Sequence, residues 1–116
     1  MRAVQFSASI PIYLQVMGDM KRDMAAGGRV DSVRALAARY GINLNTMQRA
    51  CAELEREGLL VTRRGIGSFV TEDRERLEAL REEMARGLAQ AYLEGMAGLG
   101  FGRAEAEARL KREGEE

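Results

Sequence analysis

Apolar residues recur in threes and fours from Pro11 onward, as Ile12, Tyr13, Val16, Met17, Met20 and Met24. That is the spacing of one helix face. Asp19, Lys21, Arg22 and Asp23 fall between them. Pro11 suits a first helical turn, where its missing N–H costs nothing, and Gly27-Gly28 stop the helix. The methionines read as core, since thioether chains adapt to irregular gaps. Residues 1–9 are short and mixed, and are expected to form an arm or a disordered lead-in.

A second helix begins at Ser32, whose hydroxyl can cap an orphan backbone N–H. Ala35 stands where a capping box would need Glu, so this is a single cap. Val33, Leu36, Ala37 and Tyr40 mark its buried face. Gly41 ends it by permitting the positive φ of a tight turn, and Ile42 plugs the corner. Asn43 caps a third helix running to about Glu57. At 100° per residue, Met47, Ala50, Cys51 and Leu54 share one face, while Asn45, Gln48, Arg49, Ala52 and Glu53 spread over the other. Gly58 is the stop.

The period then changes. Residues 59–63 and 68–71 have strand composition, and Arg64-Gly65-Ile66-Gly67 between them is a hairpin turn. From Asp73 the chain returns to helix, with an acidic first turn that suits the helix dipole. Leu77, Leu80, Met84, Leu88, Tyr92 and Met96 form a stripe to about Ala97. Gly98-Leu99-Gly100-Phe101-Gly102 breaks it, and a short helix follows over residues 103–112. The long helix, about 36 Å, exceeds what so small a domain can cover, so its stripe is expected to pack on a second copy. A strict heptad fails at Gly87 and Glu94, which predicts crossed helices and not an extended coiled coil.

These elements predict a mainly α fold with a small β-hairpin: a winged helix-turn-helix domain over residues 10–71, then a C-terminal two-helix dimerisation tail over 72–113. At 116 residues the chain is one small domain with an appendage, marginal in stability if alone. Net charge is zero, but residues 1–71 hold ten Lys/Arg against six Asp/Glu, and the remainder eight against twelve. The positive half suits a polyanion. One cysteine and no histidine leave no disulfide, zinc site or acid–base pair, so neither a metal, a cofactor nor an enzyme is expected. Cys51 lies on the apolar face and reads as a small buried hydrophobe. With no apolar run near membrane-spanning length and no leader pattern, the expected location is cytoplasmic.

Winged helices read DNA with the start of the second helix of the pair, backed by groups that grip phosphate. Asn45 and Gln48 can bond adenine bidentately and Arg49 guanine. Thr46 and Asn43 can reach phosphate or bases. Ser32 and Arg34 sit at a helix start that favours anions. Arg63 and Arg64 flank a hairpin tip whose Gly65 and Gly67 allow close approach to the backbone or minor groove. Gly65-x-Gly67 alone is no nucleotide loop, because it lies between strands.

Pro11-Ile12-Tyr13-Leu14-Gln15, Ser32-Val33-Arg34-x-Leu36-Ala37, Gly41-x-Asn43-x-Asn45-Thr46-x-Gln48-Arg49-Ala50, Glu53-Leu54-Glu55-x-Glu57-Gly58 and Arg64-Gly65-x-Gly67-Ser68-Phe69-Val70 together resemble the GntR family of bacterial transcription regulators. The short two-helix tail with Leu99-Gly100-Phe101 resembles its YtrA-like subfamily. The resemblance spans roughly residues 10–112. It implies a homodimer held by the C-terminal helices that binds a two-fold operator and usually represses, often at transporter operons and commonly its own. It would put DNA contacts on Arg34, Asn43, Asn45, Thr46, Gln48, Arg49, Arg64 and Gly65. Two features depart from the pattern. The loop before Ser32 is about five residues shorter than the family's, with Asp31 where proline is usual, and the tail is too short for a separate effector domain.

The expected function is a sequence-specific DNA-binding regulator, a dimeric repressor reading a palindromic operator through residues 43–57 and the wing at 63–69. The alternative is a winged helix serving protein–protein interaction without sequence-specific DNA binding. The exposed polar trio argues against it, since such faces carry apolar anchors. A small-molecule effector site lined by Tyr13, Tyr92 and Met96 stays open.

Overall fold

The computed structural model describes residue 6, residues 8–26 and residues 32–114. The expected stop at Gly27-Gly28, Asp31 in the shortened loop, and most of the expected N-terminal arm lie outside the described residues. Five helices and one hairpin follow in the order α1 (Ile12–Ala25), α2 (Val33–Tyr40), α3 (Leu44–Arg56), β1 (Leu60–Arg63), β2 (Gly67–Val70), α4 (Arg74–Gly98) and α5 (Arg103–Glu113). The described residues divide into two compact units, the division falling between Arg81 and Glu82 within α4.

In the first unit α1, α2 and α3 enclose one core. Val16, Met17, Met20 and Met24 meet Leu36, Ala37, Met47, Ala50, Cys51 and Leu54 there, all buried, with Leu59 and Leu60 from the hairpin side. Each fully buried Leu or Met contributes about 1.5–3 kcal/mol. Ile12, placed on the core stripe by its spacing, stays on the surface in the first turn. Pro11 precedes that turn as the N-cap residue, one position earlier than expected.

The helix ends carry the predicted chemistry. Ser32 Oγ accepts from the Ala35 N–H at 3.2 Å, and Asn43 Oδ1 from the Asn45 N–H at 2.7 Å. Gly41 has φ +67°, a left-handed conformation open to glycine at no steric cost. It lets the Ile42 N–H return to the Ala37 carbonyl at 3.0 Å. Asp73 Oδ1 caps α4 through the N–H groups of Glu75 and Arg76, at 3.1 and 3.2 Å.

The hairpin is tighter than its sequence suggested. The Ile66 N–H donates to the Arg63 carbonyl at 2.9 Å, closing the turn one residue early. Gly67 is therefore the first paired residue of β2, opposite Arg63, and Thr62 faces Ser68 with their hydroxyls 3.1 Å apart. Pairing continues below the strands, where the Thr71 N–H reaches the Leu59 carbonyl at 2.9 Å.

Two polar ties position the helices. The Tyr40 hydroxyl donates to Asp19 Oδ2 at 2.7 Å in the interior, joining α2 to α1, and Arg22 stands 3.6 Å from the other carboxylate oxygen. Asp19, which the sequence pattern placed among polar residues between the stripes, is buried. Glu57, at the end of α3, accepts from Lys21 at 2.8 Å, and its carbonyl accepts from Arg76 Nε at 2.9 Å. These bonds hold α1, α3 and the start of α4 at one point.

The second unit comprises residues from Glu82 on. Gly100, with φ +91°, turns the chain after α4, and the Phe101 N–H bonds the Met96 carbonyl at 2.9 Å. The Tyr92 hydroxyl donates to the Ala106 carbonyl at 2.8 Å, tying α5 to α4. Glu105 reaches back to the Gly102 N–H at 3.2 Å.

Burial, reinforced by the hydrogen bond to Asp19 and its negative charge, pushes the Tyr40 phenol from 10.0 up to about 12 against the pull of Arg39. A raised folded-state value means that this contribution is fully present below pH 10 and fades as pH climbs from 10 towards 12. Tyr40→Phe should cost about 1.5–3 kcal/mol, because a buried carboxylate loses one of its partners. Urea melts of both proteins across that range check this: their stability gap should narrow with rising pH, and a constant gap would contradict it.

Candidate nucleic-acid interface

The candidate interface is built on α3. Its inner face, Met47, Ala50, Cys51 and Leu54, is wholly buried, so the helix cannot roll without submerging polar groups. Asn45, Gln48 and Arg49 are consequently exposed on the other side, with Thr46 half-buried beside them. Burial raises the Cys51 thiol above its ordinary range, with Glu55 adding to the effect. Cys51 is held as a neutral thiol in the core and takes no part in the outer face.

Asn43 spends its carbonyl oxygen on the cap, which leaves its amide N–H groups to donate outward. Ser32 likewise uses Oγ as an acceptor from Ala35 and keeps its hydroxyl proton for an anion. Both open helices whose first N–H groups favour negative charge. Arg34 is exposed one residue inside α2. Among the described residues neither Arg34 nor Arg64 has a carboxylate partner.

At the wing, Arg63 lies on β1 with its guanidinium carbon 5.6 Å from the Phe69 ring centroid. Arg64, Gly65 and Ile66 form the exposed tip, with Gly65 at φ +77° and Gly67 at +135°. Side chains rarely adopt those conformations, and the two glycines leave the backbone of the tip uncovered beside Arg63 and Arg64. Ile66, 71% exposed, is apolar at a point where spacing alone suggested only a turn.

Arg49 has a partner that sequence inspection missed. Its guanidinium carbon stands 3.9 Å from the centroid of the Tyr13 ring, and Nη2 donates to the Tyr13 hydroxyl at 3.3 Å. No spacing rule connects residues on different helices. Tyr13 belongs to the first unit and Tyr92 and Met96 to the second. Tyr13 and Tyr92 each have a hydroxyl contact within their own unit.

Of the six stripe residues, Leu80 is buried, and Leu77, Met84, Tyr92 and Met96 are half-buried. Leu88 is 74% exposed, and Leu99 and Leu110 are also open. Among the described residues no three His, Cys, Asp or Glu side chains gather as metal ligands, and no helix is long and apolar enough to cross a membrane.

Residues 19–70, from mid-α1 through the wing, match the bacterial regulatory proteins of the gntR family. A GntR family transcriptional regulator from Listeria monocytogenes superposes with a TM-score of 0.81 at 34% identity, over 92% of this chain and 98% of that one. The chain belongs to the GntR family. Among curated GntR-like relatives, the HTH-type transcriptional regulator YhcF of Bacillus subtilis is 34% identical over 102 residues, 84% of each chain. The HTH-type transcriptional repressor YtrA of the same organism is 32% identical over 100 residues, 77% of each. At these coverages both matches extend beyond the winged helix into the tail, in keeping with the YtrA-like resemblance. The GntR protein described here is accordingly a transcriptional regulator of the DNA-binding, winged-helix kind and not an enzyme.

Proposed function

We propose that this GntR protein is a cytoplasmic homodimeric repressor that reads a two-fold operator with α3 and grips its backbone with α2 and the wing. In this reading residues 10–71 bind DNA and residues 72–113 dimerise. The observation that carries it is the strict division of α3. Four buried side chains hold the helix, and Asn45, Gln48 and Arg49 are left outward in the chemistry that reads base edges.

Asn45, Gln48 and Arg49 face the bases, with Thr46 and Asn43 at the groove edge. Ser32, Arg34, Arg63 and Arg64 meet phosphates, and Gly65 and Gly67 let the wing backbone approach. The reading draws support from the AraR DNA-binding domain, which shares this fold at a TM-score of 0.52 and 23% identity and was crystallised with operator ORX1. The name of the YtrA relative supports repression. For dimerisation the support is the exposed Leu88 of the second unit, whose half-buried stripe neighbours Met84, Tyr92 and Met96 would meet a second copy with it; Leu80, already buried, would not be available to that face. Two α3 helices would then enter successive major grooves about 34 Å apart.

Footprinting and gel shifts on the DNA upstream of its own gene test the whole reading. A protected two-fold site is expected, and equal affinity for every duplex would favour the protein-interaction alternative. Arg49→Ala should weaken operator binding by about 1–3 kcal/mol while sparing random DNA; equal losses on both would remove it from base reading. Arg64→Ala should weaken binding to all sequences and flatten the salt dependence by about one unit of slope, and an unaltered slope would take Arg64 off the phosphates. Leu88→Asp leaves the first unit untouched and should raise the dimer dissociation constant roughly tenfold or more. Sedimentation equilibrium reads that change, and unaltered association would exclude Leu88 from the dimer face.

A further inference from the structure

An arginine that reads a base must hold its guanidinium in one plane, and the long chain loses rotamer freedom in doing so. Arg49 is exposed on α3, yet its guanidinium is not left to wander. The Tyr13 ring lies 3.9 Å beneath its central carbon, well inside the roughly 6 Å reach of a cation–π contact. The hydroxyl of the same ring takes an N–H from Nη2 at 3.3 Å. The ring sets the height of the fork, and the hydroxyl sets its rotation. The other arginine–aromatic pairs, Arg39 with Tyr40 and Arg63 with Phe69, are looser at 5.6 Å.

Tyr13 is itself held. It is half-buried in the first turn of α1, where the Leu14 and Gln15 N–H groups both bond the Pro11 carbonyl at 3.1 and 3.4 Å. Gln15 Nε2 also donates to the Ile10 carbonyl at 2.7 Å. A guanidinium carries its donors on its edge. Held over the ring with one N–H engaged by the hydroxyl, it has four others left to donate.

We infer that Tyr13 is the positioning residue for Arg49, holding the guanidinium edge-outward before DNA arrives so that base discrimination by α3 depends on a side chain of α1. This rests on the proposed function, since it assigns α3 to the groove. Tyr13 acts through Arg49 and needs no DNA contact of its own.

The test is a double-mutant cycle on the full chain. It uses a duplex that the unaltered protein selects from a randomised pool, and a scrambled duplex of the same composition. The readout is the ratio of the two affinities, with thermal melting to establish folding. Tyr13→Leu should lower the ratio about fivefold and should lower it no further in the Arg49→Ala background, while Tyr13→Phe, which keeps the ring face, should recover most of the loss. Equal losses in both backgrounds would give Tyr13 its own DNA contact and overturn the inference. So would an unchanged ratio, or a raised one, which would mean that Tyr13 stows Arg49 away from DNA. Should Y13L melt below the assay temperature, Y13F decides through the same cycle: a loss of about twofold that vanishes without Arg49 supports the inference, and no loss overturns it. If the unaltered protein selects no duplex, the DNA reading itself falls and this inference with it. That outcome is distinct from additive losses on a selected site.

Discussion

Met47, Ala50, Cys51 and Leu54 lock one side of α3 into the three-helix core, and the outward chemistry of the chain depends on that lock. Turning the helix by one residue, 100°, would bring Gln48 towards the place of Met47, which is fully buried. An unpaired amide there would cost several times what a surface contact contributes. Apolar packing, which carries no directional information of its own, thereby fixes which side chains face outward.

Packing alone leaves the angles between helices loose, and polar ties narrow them. The Tyr40–Asp19 bond crosses from α2 to α1 in the interior, where low dielectric makes it stronger and its loss more costly. Glu57 gathers Lys21 and Arg76 at the end of α3, fixing where α4 departs. These half-exposed pairs add little stability; their role is geometric. Gly41 completes the frame, since its left-handed backbone sets how sharply α3 leaves α2.

Membership of the GntR family fits a chain with so little else in it. Exposed apolar side chains occur on both units, and the most exposed on the second are Leu88, Leu99 and Leu110. A small domain is marginal in stability and gains from covering such surface. That ties the proposed dimer to the proposed reading of a two-fold site, because one association would serve both.

Much of this was legible in the residues. The 3.6-residue period placed the helices and the buried face of α3, Ser32 and Asn43 announced their caps, and Gly41 and Gly58 marked the stops. These features are local, set by side chains within a turn of one another. Boundaries shifted where a backbone bond decided them, as when the Ile66 N–H closed the wing early and drew Gly67 into β2. Two facts needed the tertiary structure: that Asp19 is interior and that Arg49 rests on Tyr13. Each depends on residues far apart in the chain, and an isolated side chain shows no trace of a partner that folding brings to it from another helix. The sequence by itself determined which faces are apolar and which groups can bond DNA. Only the tertiary structure decided which polar groups are spent inside the protein and which remain to be offered outward.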